Sequence, residues 1–295
     1  MGAIRLGVLG GLTALSLLAP GLAMADDAPA TPAPDKSGYT LFNPTPDSAE
    51  RGFCTDRPTK STGPCTVDAG HFQIETDVFN ATVDRSFGLD TETYLFTDPN
   101  LKLGVTNTSD VELSMVPFEQ VDVRDRKSGA KIRMEGVGDL YGRVKINLLG
   151  DDGGAVAVAL VPYVKAPTAS GGLGNGAVEE GLIVPVQINL PANWSLTIDP
   201  EADVLKNAVG NGRHANYSGL LSLSLPASKT LTLSVEAWSD VDFDPQGTIR
   251  QYSFDLGAAW IPQSQPNFQL DGGVNIGLNK VTPAVQAYFG VSRRF

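Results

Sequence analysis

Pro283-Ala-Val-Gln-Ala-Tyr-Phe-Gly-Val-Ser-Arg-Arg-Phe295 is the stretch whose alternation decides the fold. Val285, Ala287, Phe289, Val291 and Phe295 share one parity, interrupted only by Arg293; Gln286, Tyr288, Ser292 and Arg294 take the other. An apolar face at period 2 is a strand lying against something greasy. A terminal strand of this kind exposes a backbone edge, and barrels remove such edges by pairing last strand with first. The stretch therefore predicts the closing strand of a transmembrane barrel. Phe295 is expected at a lipid–water interface, where the outer-membrane assembly machinery would recognise it.

The same pattern recurs upstream. Residues 139–149 set Leu140, Val144, Ile146 and Leu148 against Asp139, Tyr141, Arg143, Lys145 and Asn147. Residues 71–78 set Phe72, Ile74, Thr76 and Val78 against Gln73, Glu75 and Asp77. Further strands are expected at 91–106, 111–124, 155–165, 181–190, 194–204, 215–225, 231–241, 249–261 and 268–278. That makes an antiparallel up-and-down barrel of about twelve strands, an even number as single-chain bacterial barrels have. Connections alternate short and long, so the short turns belong in the periplasm and the loops outside. Phe72, Trp194, Trp260, Phe268 and Phe295 fall at periplasmic strand ends, and Tyr217 and Tyr252 at outer ends, as two aromatic girdles require.

Two places resist the pattern. Tyr94 and Phe96 oppose the parity of Leu101, Leu103 and Val105, which predicts a bulge near Pro99. Pro117, Pro162, Pro185 and Pro200 lie inside strands and need bulges or rims. A soluble β-sandwich or lipocalin-like barrel alternates too, but its inward face needs bulkier residues than the Ala, Val and Gly found here.

Composition agrees. The 295 residues include 32 Gly and 20 Pro, and 22 Lys+Arg against 33 Asp+Glu give a net charge of −11, which argues against a nucleic-acid partner. A mean hydropathy of −0.05 is too polar for membrane helices yet suits a barrel, where lipid and lumen faces average out. Residues 1–25 read as a signal peptide: Arg5, an apolar core over 6–18, and a small-x-small site at Ala23-Met24-Ala25. Residues 26–50 carry Pro29, Pro32, Pro34, Pro44 and Pro46 and read as a flexible or extended periplasmic linker. Cys54 and Cys65, exported together, are expected to form a disulfide around a small polar loop.

Thr55-Asp56-Arg57-Pro58, followed by Gly70-His-Phe-Gln-Ile-Glu75 and a terminal aromatic, resembles the family known as "putative MetA-pathway of phenol degradation". The resemblance implies an outer-membrane β-barrel of a Gram-negative bacterium that passes small compounds, aromatic or hydrophobic ones among them. The flanking cysteines and Arg293 depart from the family pattern.

The lumen parity assigns Glu75, Asp77 and Glu112, then Arg143 and Lys145, to the pore lining. Asp199, Glu201, Asp203, Glu236, Asp255 and Asp271 follow, with Arg294 near the end. Acids gather on the second half, with Arg143, Lys145 and Arg294 opposite. Such charges either set a transverse field that selects small solutes or pair and fill the lumen, leaving a structural or binding barrel without transport. Asp56, Arg57 and Pro58 form a candidate plug motif, with Arg57 and Lys60 reaching Glu75, Asp77 or Asp271. Domains are thus expected at 1–25, 26–69 and 70–295. No metal spacing or nucleotide motif is present, and no cofactor is expected. His71 lies at the periplasmic end and His214 in an outer loop without a sequence-near Ser or Asp, so no catalytic residue is expected. The expected partners are outer-membrane lipid and a small solute, with the chain a monomer.

Overall fold

The computed structural model describes residues 35–295; the signal peptide expected at 1–25 lies outside the described residues. Fifteen strands follow in order: β1 (Phe72–Asp84), β2 (Leu89–Thr106), β3 (Ser109–Met115), β4 (Phe118–Asp125), β5 (Lys131–Gly136), β6 (Leu140–Leu149), β7 (Val156–Ala166), β8 (Glu179–Ile183) and β9 (Val186–Asn189). β10 (Ser195–Lys206), β11 (Arg213–Pro226), β12 (Leu231–Asp242), β13 (Ile249–Trp260), β14 (Phe268–Gly277) and β15 (Val285–Arg294) complete the chain. Every pairing is antiparallel, and β1 pairs both β2 and β15, from Gln73 opposite Arg294 to Val83 opposite Val285. The sheet closes into a barrel. β8 and β9 together make one stave between β7 and β10. β3 and the outer strand β4 make another, so the wall has twelve staves.

The barrel is inside-out relative to a soluble fold. Val144, Ile146, Leu221, Leu256, Leu270 and Phe289 are exposed on the outer wall, whereas Lys145, Asp255, Ser222 and Gln73 are almost completely buried. Outward apolar and inward polar faces are what a hydrocarbon surround selects, because the closed ladder pairs the wall's backbone and leaves side chains to meet lipid. Phe72 and Phe295 pack as a tilted pair, 6.1 Å between ring centres, at the periplasmic rim. At the outer rim Phe79, Phe96 and Phe118 pack 5.5–5.6 Å apart.

The parity change falls two residues from the expected Pro99. β1 and β2 each hold one extra residue at the same level, Val78 and Thr97, so that Asp77 faces Asp98 inside while Phe79 faces Phe96 outside. Thr97 takes a φ of 62°, a left-handed backbone that turns the strand over. Two of the prolines are absorbed at breaks. Pro117 separates β3 from β4, Pro185 separates β8 from β9, and Pro200 lies opposite Gly219 where its carbonyl accepts from Val184 N–H. Pro162 and Pro200 stay inside their own strands, Pro162 in β7 opposite Leu182 and Pro200 in β10 beside the β8–β9 break. The loop expected across 125–138 contains β5, which pairs only with β4 and stands outside the barrel wall.

Candidate functional site

The described part of the segment read as a linker is not loose. Thr40 bridges Thr106, Leu41 N–H donates to the Val105 carbonyl, and Lys36 lies 2.8 Å from Asp152. From Arg51 to Ala69 the chain loops into the barrel interior and back, Arg51 meeting Asp68 where it enters and leaves, with Cys54 and Cys65 bonded to each other. Val67 N–H donates to Asp110 of β3 at 2.8 Å, and Asn147 of β6 donates to the Pro64 carbonyl at 2.9 Å. Gly104 makes room for this chain, since a Cβ there would collide with the Asp68 carbonyl.

Three charge clusters hold the segment, and each pairs it with wall residues chosen by strand parity. In the first, Asp56 accepts from Lys102 of β2 and from Lys145 of β6 at 3.0 Å. Glu75 lies 2.6 Å from Lys102 and Glu112 3.3 Å from Lys145, so two ammonium groups are shared by three carboxylates. Burial alone would push the Asp56 carboxyl up, but Lys102 and Lys145 outweigh it and hold it well below the usual carboxylate range.

The second cluster is Arg57. Its guanidinium reaches Asp77 of β1 at 2.5 Å and Asp271 of β14 at 2.6 Å. Gly290 of β15 lies between those acids in the ladder, and a Cβ there would collide with the guanidinium and with the Thr76 carbonyl. One arginine thus spans three adjacent staves, and Tyr288 donates to the Pro58 carbonyl at 2.5 Å beside it. In the third, Lys60 is 3.1 Å from Asp255, donates to Ser253 at 2.8 Å and lies over the Trp238 ring. Its backbone N–H donates to Glu236, and Thr62 N–H donates to Asp199 at 2.6 Å.

All the candidate lining residues therefore face the interior, but their partners differ from a field across an open pore. The countercharges for Asp77, Asp255 and Asp271 come from Arg57 and Lys60 of the N-terminal segment. Arg294 is not opposite the acids; it sits at the periplasmic end beside them, 2.7 Å from Glu50 and 3.4 Å from Asp68. Arg143 is half-exposed, 3.9 Å from Glu112. Lys102 and Asp110 were missed, although the alternation of Leu101 and Leu103 already turns Lys102 inward.

Towards the outer mouth Glu201 and Asp203 have no cationic partner among the described residues. They accept instead from Ser218 at 3.1 Å and from Tyr163 at 2.7 Å, and Asn216 links Asp203 to Asp240. On the periplasmic side a cavity of about 310 Å³ lies beside the inner segment. Thr55, Pro58, Thr59 and Ser61 line it from the segment, and Ser195, Thr197, Ser224 and Ser234 from the wall.

Both histidines are held by neighbouring groups. His71 is held by the Thr45 carbonyl at 2.7 Å and Glu50 at 3.0 Å. His214 sits between Asp242 at 2.8 Å and Asp244 at 3.5 Å, partners brought to it by the next outer loop.

The family described as "Putative MetA-pathway of phenol degradation" matches residues 55–295. The chain belongs to this family. Its matched region begins with the inner segment, so the family pattern covers Asp56 and Arg57 as well as the barrel. No curated protein matches the sequence. An outer membrane channel from Pseudomonas putida F1 superposes with a TM-score of 0.59 at 13% identity, over 82% of this chain and 100% of that one. That likeness establishes the fold as an outer-membrane barrel. The translocator domain of autotransporter NalP from Neisseria meningitidis gives 0.48 at 14% identity, over 81% and 90%. The Ralstonia pickettii toluene transporter TbuX gives 0.41 at 8% identity, over 76% and 89%. Similarity at those two levels carries no argument for the family's role here.

Proposed function

We propose that this chain is an outer-membrane channel for small molecules, with residues 26–69 a linker and plug and residues 70–295 a monomeric barrel. The observation that carries the reading is the Arg57 bridge between Asp77 and Asp271 over Gly290. A segment kept merely to fill space would be held more cheaply by apolar contacts, because buried ion pairs are weak stabilisers that break sharply when one partner leaves. Such an arrangement suits a part that moves. The hydroxyl-lined cavity beside the segment offers solute a path when it shifts, and the unpaired Glu201 and Asp203 near the mouth favour neutral or cationic solutes over anions. Family membership directs the choice of solute to aromatic or hydrophobic compounds such as phenols.

A filled barrel without transport is the second reading, favoured by the number of interior pairs made by Asp56, Arg57 and Lys60. Liposome swelling with graded sugars and phenols separates the two. The channel reading expects uptake by the wild type, faster in Arg57→Gln; no uptake by either protein supports the filled barrel.

A further inference from the structure

The outer face of the sheet continues above the aromatic rim formed by Phe79, Phe96 and Phe118. Cross-strand pairing lines up Val83, Glu92, Asp122 and Arg133 as the second outward row beyond those rings, with Asp90, Arg124 and Lys131 in the row above. At ~3.3 Å per residue and a tilt of about 40°, these rows stand roughly 10–15 Å above the aromatic ring. Arg85 joins them from the turn after β1, and together the residues line a groove of about 820 Å³ with Val123 and Ile132 at its edge.

The charge on this groove runs against that of the protein. The acids are already engaged: Asp122 with Arg133 at 2.6 Å, Asp90 with Arg126 at 3.6 Å, and Glu92 with the Tyr94 hydroxyl at 2.8 Å. Arg85, Arg124 and Lys131 have no ionic partner among the described residues; Glu92 keeps its charge beside the Tyr94 hydroxyl, so the surface carries three unpaired cations against one unpaired acid, on a chain of net charge −11. Cations with apolar stems directly above an aromatic girdle reach back to the depth of lipid headgroups.

We propose that this groove, formed by the β4–β5 hairpin against β1 and β2, is a docking surface for the phosphorylated glycolipid of the outer leaflet. The phosphates sit between Arg85, Arg124 and Lys131, and the acyl chains run down past Phe79, Phe96 and Phe118. Charge complementarity and continuity with the aromatic rim select this occupant. A guanidinium binds phosphate through paired N–H groups, which a zwitterionic headgroup with its own ammonium satisfies less well. It also explains why β5 stands outside the wall: it completes a basic surface that the staves alone lack.

The test uses the full chain in lipid nanodiscs and measures binding of diphosphoryl lipid A against its dephosphorylated form and against phosphatidylethanolamine. Each cation near an anionic surface contributes roughly fivefold. The Arg85→Gln, Arg124→Gln, Lys131→Gln variant is therefore expected to lose on the order of 100-fold in lipid A affinity. An Arg213→Gln, Lys280→Gln variant, altered at other outer positions, keeps its affinity. Millimolar inorganic phosphate does not compete, because the acyl chains hold the lipid in place. Heat-dependent gel mobility checks folding, and Arg124→Glu alone replaces the triple variant if that one does not fold. Equal binding of phosphorylated and dephosphorylated lipid, or unchanged affinity in the folded variant, overturns the proposal, as does full competition by inorganic phosphate.

Discussion

Replacing Arg57 by Gln leaves Asp77 and Asp271 facing each other across Gly290 with no cation between them. Breaking a buried ion pair by removing one member costs about 3–5 kcal/mol. Here the segment remains tethered by the Cys54–Cys65 bond, by Lys60 on Asp255 and by Asp56 on Lys145. The loss therefore falls on local opening rather than on the barrel. At about 3 kcal/mol, opening of residues 55–62 should become about 150-fold more frequent. Amide hydrogen exchange reads this directly: exchange in that loop accelerates by two orders of magnitude while β11 to β13 stay protected. The Arg57→Gln, Asp77→Asn, Asp271→Asn variant removes the stranded charges and should recover most of the protection. Exchange in Arg57→Gln within about threefold of wild type would refute the bridge as a fastening.

Other outcomes follow from the same geometry. Leu221→Arg puts a charge on the exposed lipid face of β11 and should destabilise the barrel by about 2–4 kcal/mol, read as a lower unfolding midpoint in urea. Cys54→Ser with Cys65→Ser opens the loop and should weaken its ordered form by about 2–3 kcal/mol, seen as noisier current in planar bilayers with unchanged barrel melting. The third concerns acid. Burial would raise the Asp152 carboxyl, but hydrogen bonds from Lys36, Arg51 and Asn107 hold it at about 2, below the ordinary 3.8. A depressed folded value means the tie is complete above the ordinary value and is lost as pH falls through about 2. A spin label at Ser37 should therefore gain mobility between about pH 4 and 2 and show none above pH 5.

Much of the barrel was legible because its physics is local. The alternation of Val144, Ile146 and Leu148 with Arg143, Lys145 and Asn147 fixes which side of β6 meets lipid, whatever the neighbours. Residue-level parity also assigned Glu75, Asp77, Asp255 and Asp271 to the interior. Parity alone says nothing of what neutralises them. The plug reading puts Arg57 and Lys60 against Glu75, Asp77 or Asp271, and the structure pairs Arg57 with Asp77 and Asp271 but Lys60 with Asp255, a choice set by tertiary contact and not by period. The Thr97 reversal was hidden because one residue in a left-handed turn leaves no periodic trace, and Pro99 drew attention instead. β5 was invisible for a different reason. Lys131, Arg133 and Glu135 do alternate with Ile132 and Met134, but the run is only six residues long, is flanked by polar turn residues and stands beyond the lipid-facing wall, so the pattern is too short to separate a strand from a loop.

The account rests on one wall having hydrocarbon on one side and a packed segment on the other. Nitroxide labels placed singly at Leu221, Ser222, Leu223 and Ser224 of β11 in reconstituted bilayers measure both sides at once. Labels at Leu221 and Leu223 should collide with lipid-dissolved oxygen, and those at Ser222 and Ser224 should be shielded from oxygen and from an aqueous nickel reagent alike. Oxygen access without alternation would contradict the membrane face. Free access of the nickel reagent to Ser222 would contradict an interior closed by the N-terminal segment.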